Sequence, residues 1–282
     1  MLQTGALVPG TGSKALPWVV EQSDNGSARA RMPSGARRFR AKRVSAAGVG
    51  HVLRVAVPMP GTTLAGSTQA HPMESATRTN GSRRSVVFDM GGVLLQWNPR
   101  FLYRKLFPGD EQAMEDFLAT VCTREWNERQ DAGRPFAAAI GELVARHADK
   151  AHLIEAFRAR FDEMIPGAID GTVEILLELA RAGVPLYALT NFSAETFPAQ
   201  RDRFPFMSAF DGIVVSGEEG VIKPDPRIFR ILLERYALAP SHAVFIDDNA
   251  ANAAAATALG MHGIHFRSPR QLRDELAALA LL

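Results

Sequence analysis

The chain has 282 residues and is 46% apolar, a length and composition that suit a soluble core domain carrying an insert. Its formal charge of +2 conceals two stretches of opposite sign: residues 1–84 carry 12 Lys/Arg against 3 Asp/Glu, and the remainder 20 against 27. No apolar run approaches the roughly 18 residues of a membrane-spanning helix. The single cysteine, Cys122, excludes an intrachain disulfide and fits a reducing, cytoplasmic setting.

Residues 1–84 are rich in Gly, Ala, Ser, Pro and Arg and lack sustained apolar periodicity, which predicts a basic, disordered extension. The cluster Arg37-Arg38-Phe39-Arg40-Ala41-Lys42-Arg43 is its main charge feature, and no specific nucleic-acid partner is expected from it. The composition is also that of a transit peptide, although neither an amphipathic helix nor a signal pattern is clear. A start of translation at Met73 would remove most of the extension.

Ser85-Val86-Val87-Phe88 reads as a short buried strand that delivers Asp89 to the loop Met90-Gly91-Gly92-Val93, whose glycines let the backbone approach a ligand. An acid at the C-terminal end of such a strand is poorly explained by packing, because open α/β sheets bind ligands there. Asn98-Pro99 then marks a helix start. Helical patterns follow near 99–107, 110–121, 134–148 and 150–164, broken at Pro108-Gly109, at Asp131-Ala132-Gly133 and around Asp149. Helices without a strand, placed straight after the first strand, predict a helical cap over 98–165.

Pro166-Gly167 marks the return. Gly171 to Ala182 is an amphipathic helix with Val173, Leu176, Leu177 and Ala180 as its apolar face, ended by Gly183. Strands over 185–190, 212–216, 243–247 and 263–266 then alternate with helices over 226–237, 250–259 and 269–281. Such alternation implies parallel pairing and right-handed crossovers, hence a doubly wound parallel α/β sheet over 85–97 and 166–282 with helices on both faces.

Three further clusters sit beside strand tips. Leu186-Tyr187-Ala188-Leu189 runs into Thr190-Asn191; Lys223-Pro224 follows a Gly-containing turn; Val244-Phe245-Ile246 runs into Asp247-Asp248-Asn249, with Asn252 about one helical turn beyond. Singly these are turns, caps or surface residues. Together, in a parallel sheet, they gather on one rim with Asp89. Crowded carboxylates are costly unless a cation lies among them, and hard oxygen donors favour Mg²⁺ beside a substrate phosphate. The set suits phosphoryl transfer: Asp89 attacks as nucleophile, Thr190 and backbone N–H groups hold phosphoryl oxygens, and Lys223 compensates negative charge. The expected partner is a small phosphorylated molecule.

With these residues placed, the stretch 85–282 resembles the haloacid dehalogenase superfamily. Its four motifs are matched in order by Asp89-Met90-Gly91-Gly92-Val93, Thr190-Asn191, Lys223-Pro224 and Asp247-Asp248. The helical insert resembles the family's C1-type cap. The resemblance implies Asp89 as nucleophile, with Thr190, Asn191 and Lys223 at the phosphate site. It also implies Mg²⁺ held by the Asp89 side chain, the Gly91 main-chain carbonyl and Asp248, with Asp247 alongside. One departure matters: phosphatases of the superfamily usually carry a second Asp, their general acid and base, where this chain has Gly91. The chain then works slowly, favours good leaving groups, or borrows an acid from the cap.

A subgroup resembling bacterial α-glucose-1-phosphate phosphatase shares the glycine and the Asp-Asp-Asn pattern. A hexose 1-phosphate, an acetal phosphate with a good leaving group, is chemically suited to such a site. Two alternatives use the same scaffold. A 2-haloacid dehalogenase would attack carbon through Asp89 and need a carboxylate-binding Arg, Arg124 or Arg129; a non-catalytic binding module would have lost turnover with the general acid. In the cap, Trp126, Asn127, Glu128 and Arg129 are candidate specificity residues, with Trp126 either stacking on a sugar or packing between helices.

Overall fold

The computed structural model describes residues 84–282 and the backbone of two short strands, β1 (Val19–Gln22) and β2 (Ala28–Arg31). These two pair antiparallel, with Val19 opposite Arg31. The expectations of disorder for the rest of the leader, the Arg37–Arg43 cluster and the start at Met73 lie outside the described residues.

The core is one five-stranded sheet: β3 (Ser85–Phe88), β4 (Leu186–Thr190), β5 (Gly212–Val215), β6 (Ala243–Asp247) and β7 (His262–His265), in the order β5-β4-β3-β6-β7. Every pairing is parallel. Central strands of such a sheet are buried on both faces, which is why β3, β4 and β6 read as unbroken apolar runs. The two-residue period divides them between two layers. Val86, Phe88, Val244 and Ile246 pack on α6 (Asp170–Arg181) and α11 (Pro269–Ala278); Val87, Tyr187, Leu189 and Phe245 pack on α9 (Pro226–Arg235) and α10 (Ala250–Ala258). The doubly wound architecture expected above is the one observed.

The face of α6 differs in detail. Its buried stripe is Thr172, Ile175, Leu176 and Leu179, and Leu177 points outward with 39% of its surface exposed. Both sets have the i, i+3, i+4, i+7 spacing, so the period does not choose between them; packing on the sheet turns the helix by one residue, which buries Thr172 and Leu179, leaves Val173 and Ala180 partly buried and puts Leu177 off the sheet.

Between β3 and α6 lie α1 (Arg100–Leu106), α2 (Glu111–Thr120), α3 (Arg124–Asp131), α4 (Phe136–Arg146) and α5 (Ala151–Ala159). Four of these match the helical patterns; α3 was hidden. Its sequence Arg-Glu-Trp-Asn-Glu-Arg-Gln-Asp has no apolar period, and it begins because the Thr123 side chain accepts from the Trp126 N–H at 3.1 Å. The insert is packed around aromatic rings: Trp126 meets Phe157 edge-on at 5.0 Å and Phe136 at 6.2 Å. Trp126 therefore packs between helices rather than presenting a stacking face. The same apolar cluster runs on to the sheet through Phe161 and Phe192, 5.7 Å apart.

After β4, the short helices α7 (Phe197–Arg203) and α8 (Ser216–Glu219) complete the elements; neither is long enough to show a period. Among the described residues, no helix is long and apolar enough to cross a membrane.

Candidate active site

The register of the sheet brings the chemistry to one level. Phe88 is opposite both Ala188 of β4 and Ile246 of β6, so the next residues along, Asp89, Leu189 and Asp247, stand level at the C-terminal ends of adjacent strands, with Thr190 closing β4 one residue further on. The chain runs from β3 to β4 and β5 on one side, then crosses to β6 on the other. β3 is therefore the switch point of the winding, where a crevice opens at the strand ends.

Lys223 binds this rim together. Its Nζ donates to the Leu189 carbonyl at 2.8 Å and to Asp247 Oδ2 at 2.7 Å, and lies 2.8 Å from Asp89 Oδ1. All three ammonium protons thus face acceptors, as a buried cation requires. Burial opposes its charge, but Asp89 and Asp247 outweigh that and raise its pKa. Asn191 fixes the lysine's backbone: its Oδ1 accepts from the Lys223 N–H at 2.8 Å and its Nδ2 donates to the Lys223 carbonyl at 3.0 Å.

Asp89 Oδ1 also accepts from the Met90 N–H at 2.7 Å. Both of these partners converge on Oδ1, which leaves Oδ2 without one among the described residues. Burial raises its pKa, to about 7, reinforced by Asp247 and Asp248 and opposed by Lys223. Asp247 is fully buried and its oxygens are taken up by Lys223, the Asn249 N–H and Asn252 Nδ2. Asp248 is freer, and its pKa too is raised by burial and by Asp247.

Oxygens of Asp89, Asp247 and Asp248 lie within 4.8 Å of one another, with Lys223 as the cation in contact with two of them. Gly92 makes the cluster possible: its φ is +74°, and a Cβ there would stand 2.2 Å from Asp248 Oδ2. A second sign of an absent partner is Thr190 Oγ1, buried at the rim with no hydrogen bond. An all-oxygen, acid-rich cradle beside an unpartnered hydroxyl fits a hard divalent cation and an anion.

A cavity of about 780 Å³ opens above the rim. Asp89, Gly91, Asn191, Lys223 and Asp248 form its floor, and the insert supplies Asn127, Glu128 and Asp131 together with the apolar Leu118, Phe157 and Phe161. Of the two arginines considered, Arg124 lines the cavity and is tied to Glu128 at 2.9 Å, whereas Arg129 is exposed and does not line it. Sequence reasoning missed most of the residues that the insert and the loops add to this lining, Trp97 and Asp131 among them. Trp97 follows the first motif without any period to mark it, and Asp131 was read as part of a turn.

The family model for haloacid dehalogenase-like hydrolases matches residues 84–260. The chain belongs to that family. A sesquiterpene phosphatase of Aspergillus oryzae is 30% identical over 198 residues, covering 69% of this chain and 92% of the relative. A D-ribitol-5-phosphate phosphatase of Bacteroides thetaiotaomicron is 22% identical over 207 residues, covering 70% and 98%. In fold, the chain resembles a predicted hydrolase of the family from Porphyromonas gingivalis, with a TM-score of 0.54 at 21% identity over 70% of this chain and 98% of that one. It also resembles a family enzyme from Bacteroides thetaiotaomicron in complex with magnesium and inorganic phosphate, with a TM-score of 0.52 at 20% identity over 66% and 95%.

Proposed function

We propose that the protein is a Mg²⁺-dependent phosphatase of small phosphomonoesters that works through an aspartyl-phosphate on Asp89. One observation carries the reading: Asp89 lines the cavity with Oδ1 pinned by Lys223 and the Met90 N–H, and its Oδ2 has no hydrogen bond among the described residues. The family membership and the phosphatase relatives support hydrolysis of phosphate esters.

In this reading Asp89 Oδ2 attacks phosphorus as the ester oxygen leaves. Thr190 Oγ1 donates to a phosphoryl oxygen, gaining the partner it lacks. The Asn191 backbone contributes to the same cradle while its side chain holds Lys223 in place, and Lys223 supplies the positive charge that offsets the added anion. Mg²⁺ would be held by Asp89, the Gly91 carbonyl and Asp248, with Asp247 behind them, and would supply charge neutralisation for carboxylates and phosphoryl group alike.

We divide the chain into a core over 85–97 and 166–282 and a substrate-covering cap over 98–165. The polar cap residues Asn127 and Glu128 are suited to the hydroxyls of a sugar phosphate such as a hexose 1-phosphate. The buried free thiol of Cys122 suits a cytoplasmic location.

The test is release of inorganic phosphate from hexose 1- and 6-phosphates, ribitol 5-phosphate, phosphoserine and a prenyl phosphate, with Mg²⁺ and with EDTA. Halide release from 2-chloropropionate is followed in parallel. Mg²⁺-dependent phosphate release is expected; metal-independent halide release would reassign the enzyme as a dehalogenase, and silence in both would favour a binding module.

A further inference from the structure

We propose that Asp131, the last residue of α3, is the general acid and base of this reaction, supplying from the insert the carboxyl group that Gly91 lacks. The proposal rests on the phosphatase reading.

Asp131 lines the same cavity as Asp89, Lys223 and Asp248, although 42 positions separate it from Asp89 in the chain. It is fastened to the loops that carry the site. Its main-chain carbonyl accepts from Ser216 Oγ at 2.5 Å, at the end of β5. Its carboxylate accepts from the Ser193 backbone N–H, just beyond Thr190 and Asn191. Within α3, Asn127 Nδ2 donates to Oδ2 at 2.9 Å, which sets the plane of the carboxyl group. A side chain held from both domains has the fixed position that proton transfer needs.

Its surroundings also suit a proton carrier. Among the described residues Asp131 has no Lys or Arg partner, in contrast to Glu111, Glu115, Glu142 and Glu163 on the surface of the insert. The charged groups facing it are Glu128 on its own helix and Asp89 across the cavity. Burial first, then Glu128 and to a smaller extent Asp89, push its pKa up to about 7 against the Ser193 N–H. A carboxyl in that range is populated in both protonation states near neutrality.

In the first step Asp89 Oδ2 bonds to phosphorus, the bond to the ester oxygen breaks, and the Asp131 proton passes to that departing oxygen. In the second, a water oxygen bonds to phosphorus, Asp131 takes the water's proton, and the bond to Asp89 breaks. Inorganic phosphate leaves, Asp89 is again a carboxylate and Asp131 is again protonated.

The experiment compares wild type and Asp131→Asn, as full chains with Mg²⁺, on an alkyl phosphate and on 2,4-dinitrophenyl phosphate. An alkoxide must be protonated as it leaves; dinitrophenolate need not be. For the alkyl ester, kcat/KM should fall about 10²- to 10⁴-fold. With the dinitrophenyl ester the variant should show a burst of about one equivalent per site followed by slow turnover, because the second step still lacks its base. The burst counts folded active sites. Should Asp131→Asn fail to fold, Asp131→Glu, which keeps the carboxyl but displaces it, must show the same dependence on leaving group. Equal loss on both substrates without a burst, in a folded variant, would reduce Asp131 to a contact between insert and core. Wild-type turnover of the alkyl ester would also overturn the assignment. A wild-type enzyme silent on every ester would instead overturn the phosphatase reading itself, and this proposal with it.

Discussion

Lys223 Nζ stands 2.8 Å from Asp89 Oδ1, with both side chains at the bottom of the cavity and the lysine fully enclosed. The same ammonium neutralises Asp247, so one cation holds the ends of two neighbouring strands. Lys223→Met should therefore cost stability as well as activity. Breaking a buried ion pair from one side typically costs about 3–5 kcal/mol, measurable as a lower urea midpoint. A midpoint like that of wild type would show that the lysine is not structural.

Asp89→Asn keeps the shape of the side chain and its Oδ1 acceptor. Phosphate release should drop by at least about 10³-fold, as when other enzymes lose a nucleophile, while thermal melting stays close to wild type. Substantial turnover would remove Asp89 from the role of nucleophile.

Gly92→Ala places a methyl group in the space of the Asp248 carboxylate, at a φ of +74°. Left-handed backbone alone costs an Ala roughly 1–2 kcal/mol. The larger effect should fall on Mg²⁺: the concentration needed for half-maximal activity should rise. An unshifted Mg²⁺ titration would separate Asp248 from the metal site.

Thr190→Val removes a buried hydroxyl that has no hydrogen-bond partner among the described residues. Loss of an unsatisfied buried group is neutral to stabilising, so the melting temperature should hold or rise, while inorganic phosphate should inhibit the variant more weakly. Unchanged phosphate inhibition would exclude the hydroxyl from the phosphate cradle.

Asp131 predicts a pH dependence. Its pKa is raised by folding, from 3.8 to about 7, so the folded state binds the extra proton between those values. That stabilisation is complete below the unfolded pKa and is lost as pH rises through about 7. In EDTA, wild type should lose more of its melting temperature between pH 5 and pH 8 than Asp131→Asn does. On an alkyl phosphate, the fall of wild-type kcat/KM above about pH 7 should be absent from the variant. Parallel curves in both measurements would show that Asp131 does not titrate in this range.

Much of this molecule is determined by local pattern. The apolar runs ending in Asp89, Thr190 and Asp247 could be read as parallel strands because burial on both faces leaves no alternative composition for a strand of the central sheet. Their polar ends could be grouped because parallel strands all finish on one edge. What tertiary structure alone decided is how the insert meets that edge. α3 carries no apolar period and is held by Trp126 in an aromatic core drawn from α4 and α5, so its place depends on packing among segments distant in the chain. Only that packing brings Asp131 to the cavity that Asp89 lines, and the loops at Ser193 and Ser216 hold it there. A carboxylate in a polar octapeptide looks like any solvated acid; burial and the absence of a cationic partner, which distinguish it, are properties of the folded chain.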